Sequence, residues 1–163
     1  QQGRVRANGM EFAYLEAGQG PLVLLLHGYP DNAWTWEHQM PALAAAGFRA
    51  VAPFLRGYPP SEVAPEAFHD RATLALDIVS LIDALGDGDP CHLIGQDWGA
   101  AVLYGVLAAF PDRVRRAVLM AIPHPAMIAA SLTSPVQIHR AFHWWFFQLP
   151  GLPEQVVPAD DSP

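Results

Sequence analysis

The 163-residue chain is long enough for one domain with a hydrophobic core, since 52% of its residues are hydrophobic and 15% are charged. Its net charge of −7, with 9 lysines and arginines, argues against nucleic acid and anionic membrane partners, because both need a basic face. The single cysteine, Cys91, excludes an internal disulfide. No two histidines have the spacing of metal ligands and no glycine-rich phosphate loop is present, so we expect neither a metal nor a cofactor.

No apolar run has the length of a membrane span, and the N-terminal residues lack the apolar region of a signal peptide. We therefore expect a cytoplasmic protein without a membrane span. The chain does not begin with Met and stops in loop-like sequence, so both ends are expected to be cut. The oligomeric state stays open at this stage, and a homo-oligomer is one alternative.

Taken in chain order, the sequence predicts an opening hairpin followed by alternating strands and helices. The predicted elements are a hairpin over 4–16 with its turn at Asn8-Gly9, a buried strand over 22–26, a helix over 31–46, a strand over 48–53, a helix over 70–85, a strand over 91–94, a helix over 99–110 and a strand over 114–122. This alternation is typical of a doubly wound, mostly parallel sheet, so the predicted class is α/β. After 123–125, the chain becomes rich in aromatic residues and proline.

The turn Gly95-Gln96-Asp97-Trp98-Gly99 follows an apolar strand and precedes a helix of small residues. This is the context of a nucleophile elbow, in which a strained central residue points its side chain out above the sheet and small neighbours make room for it. The central residue is usually serine, and here it is Asp97. A carboxylate attacks a saturated carbon by displacement and leaves an ester on the enzyme, which favours epoxide opening or halide displacement over peptide cleavage. A helix-capping role is the alternative for Asp97.

Four segments in order resemble the alpha/beta-hydrolase superfamily, specifically its epoxide hydrolase and haloalkane dehalogenase branch. They are His27-Gly28-Tyr29-Pro30, Leu55-Arg56-Gly57-Tyr58, residues 95–100, and residues 146–154, which are similar to the opening of the epoxide hydrolase cap. The resemblance implies an alpha/beta-hydrolase fold truncated before its last strands, with the core over 1–124 and the beginning of the cap, or lid, over 125–163. It also implies that the histidine base and its orienting acid lie beyond residue 163, so this chain alone is expected to be alkylated without turnover.

The resemblance makes Asp97 the nucleophile and gives the backbone N–H groups of Tyr29 and Trp98 the role of an oxyanion hole. Pro30 has no N–H and therefore only shapes the turn. With Pro30, His27 and Gly28 form the rest of this loop and are expected to contact the substrate, as is Trp98. An ordinary strand-ending turn is the alternative for His27-Gly28.

In the cap, the family commonly has its first proton-donating tyrosine at the position of His143. A histidine can also donate a proton or a hydrogen bond, although an aromatic core is the alternative reading of this position. His143-Trp144 is also similar to the pair that binds fluoride in fluoroacetate dehalogenases, but those enzymes have arginine where this chain has Trp98. The aromatic cluster that includes Trp144 and Phe147 is expected to line an apolar substrate pocket.

These observations predict an epoxide hydrolase-like enzyme that opens small lipophilic epoxides to diols through a covalent alkyl-enzyme ester. A haloalkane or haloacid dehalogenase with the same nucleophile is the first alternative, favoured by Gln96-Asp97-Trp98 and by His143-Trp144. A catalytically incomplete fragment that binds apolar ligands is the second.

Overall fold

The computed structural model, which describes residues 1–63, 68–131 and 133–157, contains one sheet. Its strands are β1 (Gln2–Ala7), β2 (Met10–Ala17), β3 (Leu22–Leu26), β4 (Arg49–Pro53), β5 (Cys91–Gln96) and β6 (Val114–Met120). They are ordered β1-β2-β4-β3-β5-β6. β2 pairs antiparallel with β1 and with β4. The other three pairs, β4 with β3, β3 with β5 and β5 with β6, are parallel. The predicted mostly parallel α/β sheet is therefore confirmed.

Within the described ranges, three α-helices accompany the sheet and four short α-helices follow it. The first three are α1 (Gln39–Ala45), α2 (Arg71–Leu85) and α3 (Trp98–Ala109). The short helices are α4 (Pro125–Ser131), α5 (Pro135–Arg140), α6 (Phe142–Phe146) and α7 (Leu152–Val156). No helix in the described ranges combines the length and the apolar composition that crossing a membrane requires.

Successive residues of β3 pack into two separate hydrophobic cores. Leu24 packs in the cluster that contains Ile78 of α2, whereas Leu25 packs in the cluster that contains Met40 of α1. Both leucines are fully buried because helices cover both faces of the sheet. This two-sided burial explains why β3 is a continuous apolar run rather than an alternating one.

The second helix begins and ends where the sequence predicts. The Asp70 carboxylate caps α2 by accepting hydrogen bonds from the backbone N–H groups of Ala72 at 2.9 Å and Thr73 at 3.0 Å. The side-chain and backbone hydrogen bonds from Thr73 lower the pKa of Asp70. Gly86 follows the last helical residue and donates its N–H to the carbonyl of Ile82.

The predicted helix over 31–46 is wrong, because this segment forms a 3₁₀ turn over Ala33–Trp36 and then the shorter helix α1. The Asn32 side chain accepts a hydrogen bond from the Trp34 N–H at 2.9 Å and starts the 3₁₀ turn. A single helix through the whole segment would place Pro41 in its interior. Proline has no N–H to donate there and its ring clashes with the carbonyl four residues earlier. In α1 the same proline lies in the first turn, where it is tolerated.

The chain divides into two compact units, Gln1–Ile122 and Pro123–Pro163. The first unit contains the sheet and α1 to α3. The second contains the four short helices, and its aromatic rings contact one another: the ring centroids of Phe142 and Phe146 are 5.8 Å apart, and those of Phe146 and Phe147 are 5.5 Å apart. The assignment of residues 1–124 to a hydrolase core and 125–163 to the start of a cap stays a prediction.

A buried ion pair ties the loop after β4 to α2. Arg56 donates from Nε and Nη2 to the two carboxylate oxygens of Asp77, both at 2.7 Å. The side chains are only 7% and 2% exposed. Asn8, in the β1–β2 turn, donates to the same carboxylate at 2.6 Å. Three segments that are distant in sequence are thus joined at one carboxylate.

We expect Asp77→Ala to lower the free energy of unfolding by about 3–5 kcal/mol, because it leaves the Arg56 guanidinium buried without a partner. The double variant Arg56→Met, Asp77→Leu should recover most of that loss, since no charge is then buried. Arg4→Ala is the matched control: its exposed pair with Glu11 should contribute about 0–1 kcal/mol. Urea unfolding at neutral pH measures all three, and equal losses for Asp77→Ala and Arg4→Ala would show that burial does not govern this pair.

Candidate active site

Asp97 lies in a strained turn between β5 and α3. Its backbone has φ 50° and ψ −119°, a conformation that a residue with a side chain rarely adopts. The turn closes tightly: a Cβ at Gly95 would lie 2.7 Å from the carbonyl carbon of Gly99, and a Cβ at Gly99 would overlap the backbone of Leu26. Only glycine fits at both positions. The strand, turn and helix of the predicted elbow are therefore present.

The Asp97 side chain is turned away from the helix that it precedes. It occupies the N-cap position of α3, whose residues are all described, but it makes no capping hydrogen bond to that helix. Instead, its Oδ1 accepts a hydrogen bond from the backbone N–H of Tyr29 at 2.9 Å. The backbone holds the turn in place, because Asp97 donates its N–H to the Met120 carbonyl at 3.2 Å and accepts from the Ala101 N–H at 2.9 Å. The capping alternative for this carboxylate does not fit these contacts.

The loop after β3 approaches the carboxylate closely. A Cβ at Gly28 would overlap the Asp97 side chain, so glycine is required for this approach. The next peptide bond, between Tyr29 and Pro30, is cis. Trp98 follows Asp97 as the first residue of α3, and its backbone N–H has no acceptor within the helix. Six of the predicted site residues thus follow directly after β3 or β5, namely His27, Gly28, Tyr29, Pro30, Asp97 and Trp98.

His27 is fully buried behind this loop. Its Nε2 accepts a hydrogen bond from the Leu55 N–H at 3.1 Å, so its Nδ1 carries the proton and donates to the Gly28 carbonyl at 3.0 Å. Burial lowers the pKa of His27, and the hydrogen bond to Gly28 and the charge of Asp31 oppose this shift. Because both ring nitrogens contact backbone groups, the predicted direct contact between His27 and substrate does not fit its placement.

Tyr58 lies beside the site, although the sequence predicted no role for it. Its ring meets that of His27 edge to face, with the centroids 4.5 Å apart. Burial, and then the negative charge of Asp97, raise the pKa of Tyr58 to about 12, so the phenol stays neutral. Tyr58 belongs to the Leu55-Arg56-Gly57-Tyr58 motif, which was identified from the sequence. Its contact with His27 becomes visible only in the folded chain, where Tyr58 packs against the loop after β3.

The loop and the elbow are also joined by a side-chain contact. Gln96 Nε2 donates to Asp31 Oδ2 at 3.4 Å, which links the residue before Asp97 to the residue after Pro30. Neither side chain was predicted to take part in the site. Their proximity follows from the parallel pairing of β3 with β5, which sequence alone does not specify.

A cavity of about 220 Å³ borders the Trp98 side chain. Its walls are mostly apolar and include Phe12 of β2 and Ile78 of α2. The Arg56–Asp77 pair forms part of one wall, where the two charges neutralise each other. The cavity therefore offers apolar surface next to the elbow.

The remaining predicted site residues lie in the second unit. The rings of His143 and Trp144 are in contact, with centroids 6.1 Å apart at an angle of 80°. Phe147, which follows α6, is 39% exposed. The roles of these three residues toward substrate stay predictions.

Within the described ranges, no three histidine, cysteine, aspartate or glutamate side chains are grouped as metal ligands. Cys91 is buried, and burial raises the pKa of its thiol to about 12. The thiol therefore stays protonated, as expected of a structural core residue.

Comparison with known proteins identifies the family to which this fold belongs. Residues 21–158 match the sequence profile of the alpha/beta hydrolase fold family. The chain belongs to this alpha/beta hydrolase family. It is 33% identical over 162 residues to epoxide hydrolase 4 of Mus musculus, covering 97% of this chain and 45% of the relative. It is 37% identical over 168 residues to epoxide hydrolase A of Mycobacterium tuberculosis, covering 97% and 51%.

Solved structures of alpha/beta hydrolases show the same relationship. An epoxide hydrolase from Vigna radiata superposes with a TM-score of 0.77 at 35% identity, covering 93% of this chain and 48% of that one. Epoxide hydrolase A from Mycobacterium thermoresistibile gives a TM-score of 0.78 at 36% identity, covering 93% and 50%. The chain thus spans about half the length of the alpha/beta hydrolases that it matches.

We expect Gly28→Ala to destabilise this alpha/beta hydrolase by about 1–3 kcal/mol, because the new methyl group overlaps the Asp97 side chain and forces the loop away. The hydrogen bond between the Tyr29 N–H and Asp97 should be lost at the same time. Gly105→Ala in α3 is the control, since its Cβ would lie 3.6 Å from the Ala75 Cβ in ordinary contact. Urea unfolding and the Tyr29 amide proton shift measure the two effects, and an unchanged amide shift in Gly28→Ala would disprove the close approach.

Proposed function

We propose that this chain carries the nucleophile of an epoxide hydrolase-like enzyme, and that Asp97 attacks the epoxide. The observation that carries the proposal is the Asp97 carboxylate at a strained elbow, held by the Tyr29 N–H at 2.9 Å rather than by its own helix. An exposed serine at this position would attack a carbonyl carbon, whereas a carboxylate suits displacement at a saturated carbon.

In the first step, a carboxylate oxygen of Asp97 forms a bond to one epoxide carbon while the bond from that carbon to the epoxide oxygen breaks. The departing oxygen takes a proton from an acid, and a hydroxyalkyl ester remains on Asp97. We propose His143 as one donor of this proton or of a hydrogen bond to the oxygen. The hydrogen bond from Tyr29 holds one carboxylate oxygen, which leaves the other oxygen for attack.

In the second step, a base takes one proton from a water molecule as the water oxygen attacks the carbonyl carbon of the ester, and the carbonyl oxygen becomes an oxyanion. The backbone N–H groups of Tyr29 and Trp98 are proposed to bind this oxyanion, as preplaced donors do in acyl transfer. Collapse of the intermediate releases the diol and restores the Asp97 carboxylate. Because the chain spans about half the length of its relatives, this hydrolysis is proposed for the whole protein.

A lipophilic substrate is supported by the apolar surface beside the nucleophile. Tyr29 and Trp98 are 45% and 49% exposed, and the cavity of about 220 Å³ borders Trp98. Trp144 and Phe147 are also proposed to contact the lipophilic substrate. The names of the relatives favour epoxides over alkyl halides, since the mouse and mycobacterial proteins are both epoxide hydrolases.

We expect incubation with excess styrene oxide to add one epoxide mass to the chain, and peptide mapping to locate the adduct at Asp97. Asp97→Asn should abolish the adduct, because a neutral amide is a poor nucleophile. Asp112→Asn, which removes an exposed carboxylate outside the site, is the matched control and should react like the parent chain.

The same measurement with an alkyl bromide separates the two chemistries. Release of bromide with an adduct at Asp97, and no reaction with styrene oxide, would favour the dehalogenase alternative. An adduct that persists in Asp97→Asn would refute the proposed nucleophile. Sustained diol formation by the chain alone would show that it contains its own base.

A further inference from the structure

We propose that His27 is a positioning residue that orients and polarises the peptide group between Gly28 and Tyr29. This inference rests on the proposed function, in which the N–H of that peptide group binds the carboxylate and then the oxyanion of Asp97. His27 contacts neither group directly. His27 acts through the Gly28 carbonyl oxygen, which lies at the opposite edge of the same peptide group from the Tyr29 N–H.

The proton of His27 is fixed on Nδ1 by the surrounding backbone. The Leu55 N–H points to Nε2 at 3.1 Å, so this nitrogen must present its lone pair. In a neutral imidazole the proton is then on Nδ1, which lies 3.0 Å from the Gly28 carbonyl oxygen. The Tyr58 ring packs against the imidazole edge to face, with the centroids 4.5 Å apart.

The peptide group between Gly28 and Tyr29 therefore takes part in hydrogen bonds at both ends. Its carbonyl accepts from His27 at 3.0 Å, and its N–H donates to Asp97 Oδ1 at 2.9 Å. A rotation of this planar group would break both bonds at once. Hydrogen bonds in such a chain polarise one another, by about 10–30% per bond in condensed phase. The donor that faces Asp97 is thus both locked in direction and strengthened.

Two conservative variants separate the two hydrogen bonds of the imidazole. In His27→Asn, the side-chain amide N–H lies near the place of Nδ1–H and can still donate to the Gly28 carbonyl. In His27→Gln, the longer side chain can still accept from the Leu55 N–H near the place of Nε2, but the donor to Gly28 is lost. If His27 acted only as packing, the two variants would behave alike at Asp97.

The first readout is nuclear magnetic resonance of the chain, which requires no activity. The ¹⁵N shifts of the parent imidazole should show a protonated Nδ1 and an unprotonated Nε2. The Tyr29 amide proton should move upfield, toward a weaker hydrogen bond, in His27→Gln and stay near its parent position in His27→Asn. A protonated Nε2 in the parent chain would overturn the proposal even if neither variant folds.

The second readout is cleavage of the Asp97 ester by hydroxylamine after reaction with styrene oxide, followed by intact mass. Hydroxylamine attacks the ester carbonyl carbon, so the cleavage passes through the oxyanion and supplies its own nucleophile. We expect the cleavage rate to fall about tenfold in His27→Gln, less than the 10²–10³-fold loss typical of removing a donor outright. His27→Asn should stay within about threefold of the parent.

The outcomes distinguish this inference from the function on which it rests. If the parent chain forms no adduct at Asp97, the proposed nucleophile fails, while the Tyr29 amide shifts still test His27. If the adduct forms and both variants cleave at equal rates with equal Tyr29 shifts, the nucleophile stands and the role of His27 is refuted.

Discussion

The positive φ of Asp97 is the constraint on which the rest of the site depends. It turns the carboxylate away from α3 and toward the loop after β3. This conformation is possible only because Gly95 and Gly99 have no side chains, so the backbone can close tightly at both positions. The strain at one residue costs about 1–3 kcal/mol, which the buried residues of β5 and α3 on either side of the turn must offset. Gly28 completes the arrangement, because any larger residue would push the loop off the carboxylate.

Three loops at the carboxyl ends of parallel strands are connected through this constraint. The loop after β5 presents Asp97, the loop after β3 presents the Tyr29 N–H, and the loop after β4 presents the Leu55 N–H to His27. The third loop is in turn fixed by the buried pair of Arg56 and Asp77, which anchors it to α2. The contacts that stabilise the fold are thus also the ones on which the proposed function depends, because the groups that hold the Tyr29 N–H near Asp97 pack against the core.

Hydrophobic runs and capping residues in the sequence predicted the strands and helices whose formation depends on neighbouring residues. The strand over 22–26 and the helix after Asp70 were predicted from hydrophobic runs and a capping residue, and both are confirmed. The helix over 31–46 was wrong because apolar periodicity outweighed the position of Pro41. The partners of His27 could not be predicted, because they are the backbone groups of Gly28 and Leu55. Every residue type except proline has the same backbone donor and acceptor, so the sequence does not indicate which of them a side chain will contact.

The most direct test of this account is a crystal structure of the chain after reaction with styrene oxide. We predict continuous electron density from one carboxylate oxygen of Asp97 to a carbon of the ligand. The ester carbonyl oxygen should lie within about 3 Å of the backbone nitrogens of Tyr29 and Trp98. Density joined to any other side chain, or an ester whose carbonyl oxygen points away from both nitrogens, would contradict the account.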